Sequence, residues 1–136
     1  MSNSFYAKGA EKVLSGSINI PSDTIKAALV KNSYSQNLAT DEFYSTISSH
    51  VVGTPQTLGT KSVTGGVFDA ADPTFAAVTA GDTCEALVIY KDTGTASTSP
   101  LLLYLDTITG FPLTTNGGDI TVQFDNGGYK IVALYG

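Results

Sequence analysis

The chain has 136 residues, 42% of them hydrophobic and only 14% charged, with seven lysines, no arginine, twelve acids and a net charge of −5. That length suits about one domain, and the low charge excludes a disordered acidic tail or a coiled coil. Scattered lysines without arginine argue against binding nucleic acid or an anionic membrane surface, both of which need clustered cations.

The pattern is all-β: short apolar runs separated by Gly, Asn, Asp and Pro. It predicts a single β domain over residues 1–136, an antiparallel sandwich or barrel-like fold with one or two short helices in the N-terminal half. Residues 1–16 read as an N-terminal arm or a short helix. Tyr6, Ala10, Val13 and Leu14 fall at helical spacing, with Gly9 weakening the pattern. Ser17 to Ile20 reads as a short strand that pairs with the next one. Pro21-Ser22-Asp23 is turn chemistry. Residues 24–31 form the first strong strand, with Ile25, Ala27 and Leu29 on one face.

Over 40–47, Thr40 as a cap, acids in the first turn and the Phe43/Ile47 spacing predict one short helix. His50 to Val52, Lys61 to Thr64, Gly66 to Asp69 and Thr74 to Ala77 read as short strands, and 53–59 as a loop. Cys84 to Tyr90 and Leu101 to Asp106 are apolar on both faces, as central strands covered on two sides should be. A ten-residue polar loop, 91–100, joins them. Ile120, Val122 and Phe124 alternate with polar residues, and Asn126-Gly127 suits a tight turn returning through Tyr129 to Leu134 as a hairpin.

Chemistry-bearing motifs are sparse. Cys84 is the single cysteine and sits in an apolar run, so it reads as a buried hydrophobe. With His50 as the single histidine, the pair is too few for a structural zinc site, and no Gly-x-Ser-x-Gly elbow supports a triad. No phosphate-binding glycine loop or calcium loop occurs. Paired acids for glycoside hydrolysis depend on spatial distance, which sequence leaves open; with three Glu and the Asp residues near turns, they carry little support. The expectation is no catalytic residue, no cofactor and no metal. The start has no signal-peptide core and no run approaches a membrane helix, so the chain is expected to be soluble and made in the cytoplasm.

Three blocks carry a resemblance. Phe5-Tyr6-x-Lys8-Gly9-x-Glu11-x-x-Leu14-x-Gly16-x-Ile18 leads into Asp23-Thr24-Ile25-Lys26-Ala27-Ala28-Leu29-Val30. The second runs from Ala86 through Tyr90-Lys91-Asp92-Thr93-Gly94-Thr95 to Thr98-Ser99-Pro100-Leu101. The third is Asn116-Gly117-Gly118-Asp119-Ile120-Thr121-Val122, ending in Phe124-Asp125-Asn126-Gly127. Together they resemble a family of small tailed-bacteriophage virion structural proteins. The resemblance implies a non-enzymatic subunit, foremost a capsid decoration (cement) protein on the head exterior that binds the major capsid protein as a homo-oligomer, a trimer by the symmetry of such shells. A tail, neck or fibre-base subunit is the alternative, and a host-surface carbohydrate-binding module a more distant one. Such proteins bind through aromatic anchors. Phe5 and Tyr6 in the arm, Tyr34 in the first loop, and Phe43 with Tyr44 in the short helix are the candidates, one of the last two being expected at the surface.

Overall fold

A computed structural model describes residues 4–106, 108, 110–124 and 131–133. The chain forms β1 (Ser4–Phe5), α1 (Ala7–Leu14), β2 (Ile25–Lys31), β3 (Val51–Thr57), β4 (Ser62–Thr64), β5 (Val67–Asp69), β6 (Thr74–Phe75), β7 (Thr83–Lys91), β8 (Leu101–Leu105), β9 (Leu113–Thr114), β10 (Ile120–Thr121) and β11 (Val132–Ala133). It is a mostly-strand, all-β fold of sandwich type with one α-helix near the N-terminus.

The main sheet has the order β1-β8-β7-β2-β3, with β9 on the far end of β7, and every pairing is antiparallel. Alternation along its strands sends side chains to two cores. Ile25, Ala27 and Leu29 of β2, Leu87 and Ile89 of β7, and Leu103 and Leu105 of β8 join one cluster. Ala28, Val30, Ala86, Val88, Tyr90 and Tyr104 join the other. The first face is covered by two small sheets, β11-β5-β4 and β10-β6, through Phe68, Phe75 and Val122. The second is covered by Tyr6, Tyr34, Leu38 and Ile47. Burial on both sides explains why β7 and β8 read as continuous apolar runs; each large aliphatic side chain fully removed from water there stabilises by about 1.5–3 kcal/mol.

Four expectations are corrected. Residues 17–20 form a turn, not a strand: the Asp23 carboxylate accepts the Asn19 N–H at 2.7 Å, and the Asp23 N–H returns to the Asn19 carbonyl at 2.8 Å. Residues 40–47 make no α-helix. Tyr44–Thr46 and Ser48–His50 are two 3-10 turns instead. The backbone there bonds outward, with Leu101 N–H donating to the Glu42 carbonyl and Tyr44 N–H to the Ser99 carbonyl, each at 2.8 Å. Asp41 accepts the Asn37 N–H at 2.9 Å, reaching back down the chain rather than capping a helix.

The expected loop 53–59 is strand up to Thr57. The register between β2 and β3 shifts between Ala27 and Leu29, so Gly53-Thr54-Pro55 is a bulge on an edge strand, where proline's missing N–H does no harm. The expected C-terminal hairpin is also revised: Ile120–Thr121 pairs with β6 and Val132–Ala133 with β5, so the two strands lie in different sheets. The Asn126-Gly127 turn lies outside the described residues. The helix at 7–14, the 25–31, 83–91 and 101–105 strands, and the short strands at 62–64, 67–69 and 74–75 fall where the sequence put them, within a few residues.

Candidate interaction surface

Phe5 and Tyr6 are consecutive in extended backbone, so they point to opposite faces of the sheet. Phe5, half-buried, packs on the first cluster; Tyr6, fully buried, joins the second with Tyr34 and, at its margin, Tyr44. The Tyr34 hydroxyl donates to the Asp41 carboxylate at 2.6 Å. Its single proton being used there, the Tyr6 hydroxyl donates to Tyr34 across the 2.8 Å that separates them. Burial, the largest cause, pushes both phenols well above the ordinary tyrosine range, with Asp41 adding to it. Both are held protonated and act as hydrogen-bond donors. The Tyr34 ring also lies 5.8 Å from His50 and 6.1 Å from Tyr104, whose hydroxyl burial and then Asp106 and Glu85 push up to about 12. Within a single chain both rings are buried, Tyr6 completely and Tyr34 nearly so.

Phe43 and Tyr44 are both half-buried, and the expected division into one inward and one outward ring does not arise, because Phe43 is extended rather than helical. Phe43 bridges to Pro100, with the Lys12 ammonium 5.4 Å from its ring centre. Lys12 also pairs with Glu42 at 2.7 Å, and that bond holds the Glu42 carboxyl below its usual range. Tyr44 lies against Tyr90, ring centres 4.6 Å apart. Phe5 thus faces the first cluster, Tyr6, Tyr34 and Tyr44 the second, and Phe43 the Pro100 and Lys12 contact, so the five aromatics do not form one open patch.

The polar loop is internally tied. The Ser99 side chain, almost fully buried, accepts the Thr93 N–H at 3.0 Å and donates to the Thr95 carbonyl at 2.8 Å, while Asp92 accepts the Gly94 N–H at 2.9 Å. At the same end of the sheet, Lys26 pairs with Asp92 at 2.9 Å and Lys91 with Asp23 at 3.2 Å, and Lys61 donates to the Asp23 carbonyl. Lys26 and the Gly94 N–H keep the Asp92 carboxyl low. Partial burial opposes ionisation of Asp23, but the Asn19 N–H with Lys91 and Lys61 outweighs it.

The open apolar surface lies elsewhere, and sequence reasoning missed it. Leu14 is 76% exposed and Val63 48%. Val13, Gly16, Ile18, Asn19, Ile20, Pro21 and Val63 line a shallow groove of about 240 Å³ between the end of α1, the 16–21 turn and β4. The signal was present: Val63 stands alone between Lys61-Ser62 and Thr64-Gly65-Gly66, the pattern of a short exposed edge. Among the described residues, no three His, Cys, Asp or Glu side chains are grouped to hold a metal ion. No family model matches the sequence, and no curated protein matches it.

Proposed function

We propose that this chain is a non-enzymatic structural subunit of a tailed-bacteriophage particle, a decoration protein that binds the major capsid protein on the outside of the head and stabilises the shell. Two things support the reading. The three resembling blocks fall on part of the main sheet and one strand outside it: Phe5 of β1, α1 and most of β2, then most of β7 and the 91–100 loop, then β10. The observation that carries it is the groove beside Leu14 and Val63, an apolar centre with polar neighbours Ser62, Thr64 and Asn19. A surface of that kind recognises another protein by shape and by removal of apolar area from water. In this reading the chain works as a trimer at the quasi-threefold positions of the shell, because one patch repeated about such an axis closes on itself.

The test mixes purified protein with mature, undecorated heads and follows cosedimentation and heat resistance. Heads are expected to take up the protein at micromolar concentration and to survive higher temperature. Binding to tails alone, or no binding at that concentration, overturns the proposal.

A further inference from the structure

The segment Ser4–Leu14 meets the rest of the chain across a short joint, Ser15-Gly16-Ser17, whose three residues are exposed. Gly16 sits at φ +85° with open space around it, and the Ser17 and Ile18 N–H groups both return to the Lys12 carbonyl, at 2.8 and 3.2 Å. Nearly everything else that holds the segment lies beyond the joint. Ser4 and Phe5 pair with Tyr104 and Leu103 on the outer edge of β8, and the Tyr6 N–H donates to the Leu102 carbonyl at 3.0 Å. Ala7 N–H donates to the Leu38 carbonyl at 2.7 Å, and Lys12 pairs with Glu42.

The seat has a specific shape. It takes a tyrosine whose hydroxyl meets Tyr34 and, three residues on, a glycine: a Cβ at Gly9 would stand 2.4 Å from the Leu101 carbonyl oxygen and 2.8 Å from the Leu102 Cα. Gly9 is the one fully buried residue of α1, and eight residues are too few for a helix to persist unsupported in water. The segment is therefore ordered by its seat. Once it leaves, the all-apolar run Leu101–Leu105 has a bare outer edge, which a folded sheet must cover.

We propose that Ser4–Leu14 is an exchangeable strap, and that two copies of this chain seat each other's strap on the outer edge of β8. The occupant that fits the seat is the Tyr-x-x-Gly segment itself, and a second copy carries an identical one. Every contact the strap makes beyond the joint is made again between two chains, so the exchange costs the joint's own hydrogen bonds and the bringing together of the copies. This stands independently of the virion reading, and crowding of copies in any assembly favours it.

Deleting Ser15–Ser17 tests it. The shortened joint keeps a strap from reaching its own seat and invites exchange. The shortened chain is expected to run as a dimer by light scattering, with residues 4–14 protected from protease. A monomer whose strap is cut overturns the proposal. A second measurement covers a deletion that does not fold: Lys12→Glu and Glu42→Lys chains, one isotopically heavy, are refolded together. Each alone sets like charges face to face, whereas reciprocal exchange restores opposite charges at both contacts. Heterodimer above its statistical share is expected; monomers, or dimers in statistical proportion, overturn the exchange.

Discussion

Gly9 shows how a single missing methyl group sets a local geometry. In an exposed helix, alanine in place of glycine stabilises by about 1 kcal/mol. Here the added Cβ would strike the backbone of β8, which has no flexible end to move aside. Gly9→Ala is therefore expected to destabilise, by about 1–3 kcal/mol as an overpacked site does, with a fall in the urea midpoint; a rise in that midpoint would show that α1 seats without the close approach. Tyr6→Phe keeps the ring and removes one hydroxyl. It is expected to cost about 1 kcal/mol, the net worth of a buried hydrogen bond, and to speed amide exchange at Ala7 and Tyr6 before the main sheet responds. Sequence periodicity located the helix but read Gly9 as a weakness. The reason it is glycine lies about ninety residues away, on β8.

At the level of elements, what was legible was what is local. The strands at 25–31, 83–91 and 101–105 declare themselves through runs such as Ala86-Leu87-Val88-Ile89. Residues 40–47 carry a fair helix signature, yet Glu42, Phe43 and Tyr44 spend their backbone and side chains on Leu101, Pro100, Ser99 and Lys12. Thr74-Phe75 and Ile120-Thr121 are too short to reveal that they pair with one another across forty-odd residues. The 91–100 loop reads as polar and turns out to be ordered around one hydroxyl. Ser99→Ala is expected to leave the Thr93 N–H unanswered and cost about 1–2 kcal/mol, with protease sensitivity rising at 93–98 ahead of global unfolding.

The ion pairs at the sheet's end make that region acid-sensitive. Asp23 and Asp92 have carboxyls lowered below 3.8 in the folded protein, and Glu42 below 4.5. A lowered carboxyl contributes stability that is fully present above its unfolded value and disappears as pH falls through the folded one. Thermal stability is thus expected to hold from neutrality to about pH 5 and to decline below about pH 4, modestly because the pairs are partly exposed and salt-screened. Lys26→Ala removes the first cause of the Asp92 shift, so the decline should shrink in that variant. An unchanged slope in thermal melts between those pH values would show that the pair does not report on folding.

For the whole molecule, the main sheet is buried on both sides, whereas Leu14 at the end of α1 and Val63 on β4 stand exposed. Leu14 and Val63 contribute little to the cores, so Leu14→Lys and Val63→Lys are expected to change stability by no more than about 0.5 kcal/mol. On the proposed function, each should abolish uptake by undecorated heads while the melting curve stays in place. Heads that bind both variants as well as the parent would move the recognition surface elsewhere. The architecture was readable from composition and turn chemistry, but this surface was not. It is assembled from the last turn of α1, the 16–21 turn and an edge strand more than forty residues on, and only the folded chain brings them together.

Cys84 lies fully buried within the first cluster, its thiol pushed up to about 11 by burial and then by Asp82. A thiol-directed dye therefore has nothing to attack while the main sheet is closed, and any cysteine placed on the exterior becomes a unique attachment point. The same sulfur is a built-in clock. Its alkylation counts the openings that uncover the first cluster beside the β7–β9 pairing, so one reagent times the loosening of that interior.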